Sequence, residues 1–137
     1  MNRIDLQEIS TMRLLESKAL LAAGFPEGAY YLAGYAVECA LKACIAKRTQ
    51  QHDFPDKKLT EKSYTHDVER LLDAAGLSEI LKIDLSRNPG LKLDWETIRE
   101  WSEQSRYELK TLPEATALLK AIDDREGGLL PWIQLHW

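Results

Sequence analysis

Much of what usually gives a function away is scarce in this sequence of 137 residues. It has two cysteines, Cys39 and Cys44. Both fall on one predicted helix at a spacing that turns them to different faces, so they should not pair. Two reduced, buried thiols suit a cytosolic protein. The histidines are three, His52, His66 and His136, and their spacing gives no dedicated metal site. There is no phosphate-cradling glycine motif, no Cys-x-x-Cys, no His-Glu-x-x-His and no Gly-x-Ser-x-Gly, so the common cofactor and hydrolase signatures are missing. No cofactor is expected. No apolar run approaches the roughly 20 residues of a membrane span. The start, Met1 to Glu8, is charged and amphipathic and lacks the apolar segment of an export signal. Basic residues are in deficit, 18 against 22 acidic ones, for a net charge of −4. That excludes a strongly basic nucleic-acid binder while leaving room for a local basic patch. No stretch alternates with period two for long enough to be a strand.

What is present reads as one soluble helical domain spanning 1–137, with 45% hydrophobic residues and a length able to bury a real core. The stretch that organises it is Ala29 to Ala46, which has no proline and a single glycine, Gly34. Apolar residues recur there at helical spacing: Ala29, Leu32, Ala33, Ala36, Val37, Ala40, Leu41 and Cys44. Many are alanine, so neighbouring backbones can come close, as around the central helix of a bundle. One line on this helix is not apolar. Tyr31, Tyr35, Glu38 and Lys42 share one face. They read either as a Glu38–Lys42 surface pair beside two half-buried tyrosines, or as a polar-aromatic strip lining a ligand site.

Around this helix the chain divides by its stop and start signals. Residues 4–23 are predicted as a helix with an apolar stripe of Ile9, Met12, Leu15, Ala19 and Ala22, stopped by Gly24. Pro26 suits the first turn of the central helix, which runs to about Arg48. Residues 49–64, which include His52, have no periodicity and read as an exposed loop. Thr65 caps a third helix with Asp67 and Glu69 in its first turn and Val68, Leu71, Leu72 and Ala75 facing inward, ended by Gly76. Ser78 to Lys82 reads as a short extra turn and Ser86 to Gly90 as a loop. Asp94 caps a fourth helix carrying Trp95, Ile98, Trp101 and Ser105 on one face. Thr111-Leu-Pro-Glu114 is a capping box opening a fifth, with a stripe of Ala115, Leu118, Leu119 and Ile122. The apolar tail, Leu129 to Trp137, either packs back on the bundle or covers a partner chain. The second option gives a homodimer with Trp132, Ile133 or Trp137 in its interface. The fold class is therefore all-α, an up-and-down bundle of about five helices.

Two pieces are chemically suggestive. Tyr64-Thr-His66-Asp67 stands at a helix start, where His66 is either an exposed first-turn residue or a site residue. Ser105-Arg106-Tyr107 sets an arginine beside a tyrosine, able to hold a phosphate or carboxylate or to pair structurally with Glu38 across the bundle.

With Ala33-Gly-Tyr-Ala-Val-Glu-Cys-Ala-Leu-Lys-Ala43, Tyr64-Thr-His-Asp67, Trp101-Ser-Glu-Gln-Ser-Arg-Tyr107 and a Gly-Leu-Leu-Pro-Trp end, the chain resembles a HEPN domain (higher eukaryotes and prokaryotes nucleotide-binding) over nearly its whole length. The resemblance implies a four- or five-helix bundle that dimerises. It also implies kinship with metal-independent ribonucleases, several of them toxins beside a small nucleotidyltransferase antitoxin, and with inactive members that bind nucleotide, RNA or a partner. The nuclease members carry an arginine, four to six residues, then a histidine. The family arginine maps to Arg106, but Thr111, Leu112 and Pro113 stand where the histidine belongs, and Arg48 is too close to His52 to serve. Only the arginine carries over, as a phosphate-facing residue.

The function expected is therefore a HEPN-type protein, non-catalytic or weakly active, in a toxin–antitoxin or defence setting. It would bind nucleotide, RNA or a partner protein through Arg106, Tyr107, Glu38, Lys42, Tyr35 and Tyr31. Two rival expectations are a metal-independent ribonuclease using Arg106 and His66, and a purely structural interaction module. In either binding case Arg106 is expected in a partly open groove bordered by Tyr107 and the Tyr31–Tyr35–Glu38 strip.

Overall fold

Two helices, α1 (Arg3–Ala22) and α2 (Pro26–Gln51), form the hairpin on which the rest is mounted. The computed structural model describes residues 1–51 and 57–137. Asn2 and Asp5 close a capping box at the start of α1, and Gly24, at φ 87°, makes the turn that a side chain would resist. The two helices run antiparallel. Ser10 Oγ donates to the Ala36 carbonyl and Ser17 Oγ to the Ala29 carbonyl, each at 2.7 Å and fully buried. Small residues line both sides of this contact, with Ala29, Ala33, Ala36 and Ala40 of α2 buried, so the backbones lie close enough for serine to reach across. The stripe expected on α1 is therefore on the wrong face. Met12 is 49% and Leu15 60% exposed, and the inward residues are Ser10, Leu14 and Ser17.

The remaining elements are α3 (Lys57–Ser63), α4 (Val68–Ala74), α5 (Ser78–Arg87), α6 (Pro89–Ile98), a 3₁₀ turn (Glu103–Tyr107), α7 (Leu112–Asp123) and α8 (Leu129–Gln134). The described residues thus hold eight α-helices and no strand. The class is all-α, as the periodicity indicates, but the division differs from about five helices. Part of the expected 49–64 loop is helical as α3, while His52 lies outside the described residues. The turn read at Ser78 extends to a full helix. The Asn88-Pro-Gly sequence is not an open loop: Asn88 Oδ1 accepts from Leu91 N at 3.1 Å and caps α6 with Pro89 behind it. Asp94 consequently sits inside α6 and caps nothing. Asp67, not Thr65, caps α4, accepting from Arg70 N at 3.1 Å. The Thr111–Glu114 capping box opens α7 as read, and Gly76 ends α4 at φ 75°.

One core of buried residues joins these elements through α2, which touches α1, α4, α7, α8 and the 3₁₀ turn. The apolar tail belongs to that core. Leu129, Leu130, Trp132 and Ile133 are buried in their own chain, and Trp132 Nε1 donates to Asp84 at 2.8 Å. Trp132 and Ile133 are thereby used within the chain, while Trp137, the third residue expected in a dimer interface, is only partly buried against the core.

Candidate functional site

The site starts from an indole laid on a glycine. Gly34 lies mid-helix in α2, and a Cβ added there would come within 2.1–2.2 Å of three Trp101 ring atoms, far closer than contact allows. Trp101, just beyond α6, is buried against the helix and stacks on Tyr31 at 6.2 Å between centroids, with Tyr35 6.0 Å further along. The missing Cβ lets the following 3₁₀ turn ride over the polar strip of α2. On the other side, the Thr65 hydroxyl accepts from Asp67 N and Asp67 caps α4. These local bonds fix His66 immediately before the helix.

Five charged or titratable side chains meet where these segments converge. Glu38, 1% exposed, accepts at Oε1 from Lys42 Nζ at 3.0 Å and from His66 Nδ1 at 2.8 Å. His66 Nε2 then faces Glu103 Oε2 at 3.3 Å, and the other Glu103 oxygen lies 3.5 Å from Arg106 Nη2. Glu38, as a carboxylate, can only accept, so Nδ1 is the donor in that bond, and Nε2 is the ring atom turned to Glu103. Glu38 Oε2, Trp101 Nε1 and Ser105 Oγ are buried without a protein partner beneath this line.

The Arg106 guanidinium lies 4.7 Å from the Tyr107 ring centroid. Tyr107 first, then the Glu103 carboxylate and hydrogen bonds with Tyr107 and Tyr31, hold it above its ordinary value. Burial raises the Tyr35 hydroxyl, with Cys39 and Glu38 adding to it, so Tyr35 stays protonated at neutral pH. Beside His66 opens a surface groove of about 690 Å³ running from Tyr64 to Glu69 and from Arg99 to Gln104.

Of the sequence-predicted site residues only His66 lines this groove; Glu38, Lys42 and Arg106 belong to the charged line beside it, and Tyr31 and Tyr35 to the aromatic row under Trp101. Glu38 and Lys42 do pair, but the carboxylate is buried rather than on the surface. Arg106 does not pair with Glu38; Glu103 takes it. Half-exposed, it has Tyr107 against it and Tyr31 within reach, but it does not line that groove, whose wall stops at Gln104. His66 precedes the cap instead of lying in the first turn. Glu103 was missed, although a carboxylate three residues before an arginine is a readable pair on a helical turn. Among the described residues no group of three or more His, Cys, Asp or Glu is arranged to hold a metal ion. No described helix is long and apolar enough to cross a membrane. No family model, curated protein or solved structure matches this chain.

Proposed function

We propose that the chain is a HEPN-type helical domain that binds the phosphate of a nucleotide or RNA at the His66–Arg106 edge, with little or no turnover. One observation carries this reading: His66 Nε2 and Arg106 Nη2 converge on a single anion, the Glu103 carboxylate. An imidazole, which donates at both nitrogens when protonated, and a guanidinium brought to one carboxylate from two separate segments are arranged as they would be for a phosphate oxygen. Tyr107 and Tyr64, 74% and 84% exposed, flank the line and offer faces for a base. The conclusion that turnover is weak follows from the proton inventory. Cleavage at a 2′-hydroxyl needs one group to take a proton and another to give one. A single imidazole is present here, and its Nδ1 is committed to Glu38.

The test is direct. The purified protein, in chelator and without added metal, should shift a labelled RNA without shortening it. Arg106→Ala should abolish the shift while leaving the melting temperature unchanged, since the guanidinium lies in a solvent-exposed pair. Loss of fold together with binding would return the arginine to a structural role and support a purely packing module. The ribonuclease alternative is favoured by the same convergence of His66 and Arg106. RNA cleavage lost in both His66→Ala and Arg106→Ala would establish it. The partners implied by the HEPN resemblance, a second copy and a nucleotidyltransferase-type protein, belong to the same proposal and are read by co-purification.

A further inference from the structure

The ligand's chemistry can be narrowed, on the premise that this edge binds phosphate. Glu103 already occupies the place between His66 and Arg106, its backbone fixed on the same 3₁₀ turn as Arg106, so an anion enters only as this part-exposed carboxylate swings aside. An internal phosphodiester carries one negative charge, the same as the carboxylate it would displace, and so gains little in the exchange. A terminal phosphomonoester carries about 1.5–2 charges at neutral pH and three free oxygens. It can receive His66 Nε2 and the Arg106 fork together. The neighbouring groove points the same way. Asp67, Glu69 and Glu100 join Glu103 along it, and Arg99 is tied to Glu69 at 2.7 Å. A phosphate backbone laid through that acidic channel would be repelled along its length, whereas a chain end at the rim avoids it.

We infer that the site takes a terminal phosphomonoester, on a nucleoside monophosphate or a 5′-phosphorylated RNA end, and that Glu103 is the specificity-determining residue it displaces. Two 3′-labelled pentariboadenylates, one with a 5′-phosphate and one with a 5′-hydroxyl, test this by fluorescence anisotropy. The parent should bind the phosphorylated strand at least about tenfold more tightly, the worth of one added charge-assisted contact. Glu103→Gln should tighten the hydroxyl strand several-fold and shrink the preference. Displacement of the phosphorylated strand by AMP, but not adenosine, identifies a mononucleotide site; failure of AMP to compete identifies an RNA end, and both sustain the inference. Equal affinity for the two strands overturns it and leaves phosphate binding standing. Weaker binding of both strands by Glu103→Gln also overturns it, because Glu103 would then hold the ligand. If neither strand binds to the parent or to Glu103→Gln, the phosphate-binding reading itself fails.

Discussion

Gly34→Ala sets two physical effects against each other with opposite sign. In the middle of a helix, alanine is favoured over glycine by about 1 kcal/mol, so propensity alone makes the variant more stable. The new methyl, however, would occupy the space of the Trp101 ring. To restore ordinary carbon–carbon separation the indole must retreat by roughly 1.5–2 Å. Trp101 is 4% exposed and stacked on Tyr31, so a retreat must break that stacking or push the ring towards the groove it lines beside His66. Overpacking of this kind costs about 1–3 kcal/mol, and complete ejection of a buried aromatic about 3–5. Set against the propensity gain, overpacking leaves a net loss of up to about 2 kcal/mol, or a melting temperature lower by up to several degrees for a domain this size. Tryptophan emission should shift to the red as the indole becomes wetter. A double-mutant cycle isolates the cause. In a Trp101→Ala background the clash is gone, and the same Gly34→Ala change should stabilise. Stabilisation by Gly34→Ala in the parent, with unchanged emission, would refute the packing argument.

Other expectations test the fold at separate points. Ala40 is fully buried on α2, so Ala40→Leu should overpack the bundle by about 1–3 kcal/mol; an unchanged thermal melt contradicts the central position of α2. Burial pushes the Cys39 and Cys44 thiols up to about 11, with Glu38 adding at Cys39. A folded value above the unfolded one, about 8.5, gives stability that is complete below that pH and lost as pH climbs towards 11. The melting temperature should therefore fall over that alkaline window, and neither thiol should react with an aromatic disulfide reagent near pH 8 until denaturant is added. Rapid labelling of the native protein would show the cysteines to be accessible. If a second copy binds, the outer face of α1, with Ile4, Met12 and Leu15 exposed, is an apolar stripe open to it. Leu15→Asp should then convert a dimer to a monomer in light scattering, and a monomeric parent at tens of micromolar removes that assembly.

The elements that were legible are those with local causes. A capping box is written in four consecutive residues, so Thr111–Glu114 could be read directly. The alanine-rich run of α2 could only be a helix contacted on several sides. The α1 face failed because periodicity reading weights large apolar side chains. The α1–α2 contact is instead built on serine and alanine, with buried hydroxyls satisfied by carbonyls of the facing helix. A hydroxyl that finds such a partner is cheap to bury, and its small volume is what allows the close approach. Thus the very residues that looked polar became the interface, and Met12 and Leu15 were left outside. Asn88 failed for a related reason: the same Asn-Pro-Gly chemistry serves a turn or a helix start, and only the neighbouring helices decide which.

At the site, the residue types were legible and their pairing was not. An arginine, a histidine and a glutamate could each be named from their neighbours along the chain. Which carboxylate met which cation depended on how deeply α2 was buried, a property of three segments together. Glu38, once covered by Trp101 and the 3₁₀ turn, can keep its charge only if donors come to it. Lys42 reaches it from the same helix and His66 from the loop before α4. With Glu38 so occupied, Arg106 is left to the nearer and more exposed Glu103. Burial thus divides the two carboxylates by role. The buried one fixes the imidazole, while the part-exposed one is the carboxylate that the proposed anion would replace. That division makes Glu103→Gln and Glu38→Gln unlike perturbations of the same charge: the first should alter affinity with the fold intact, and the second should loosen His66 and the fold together.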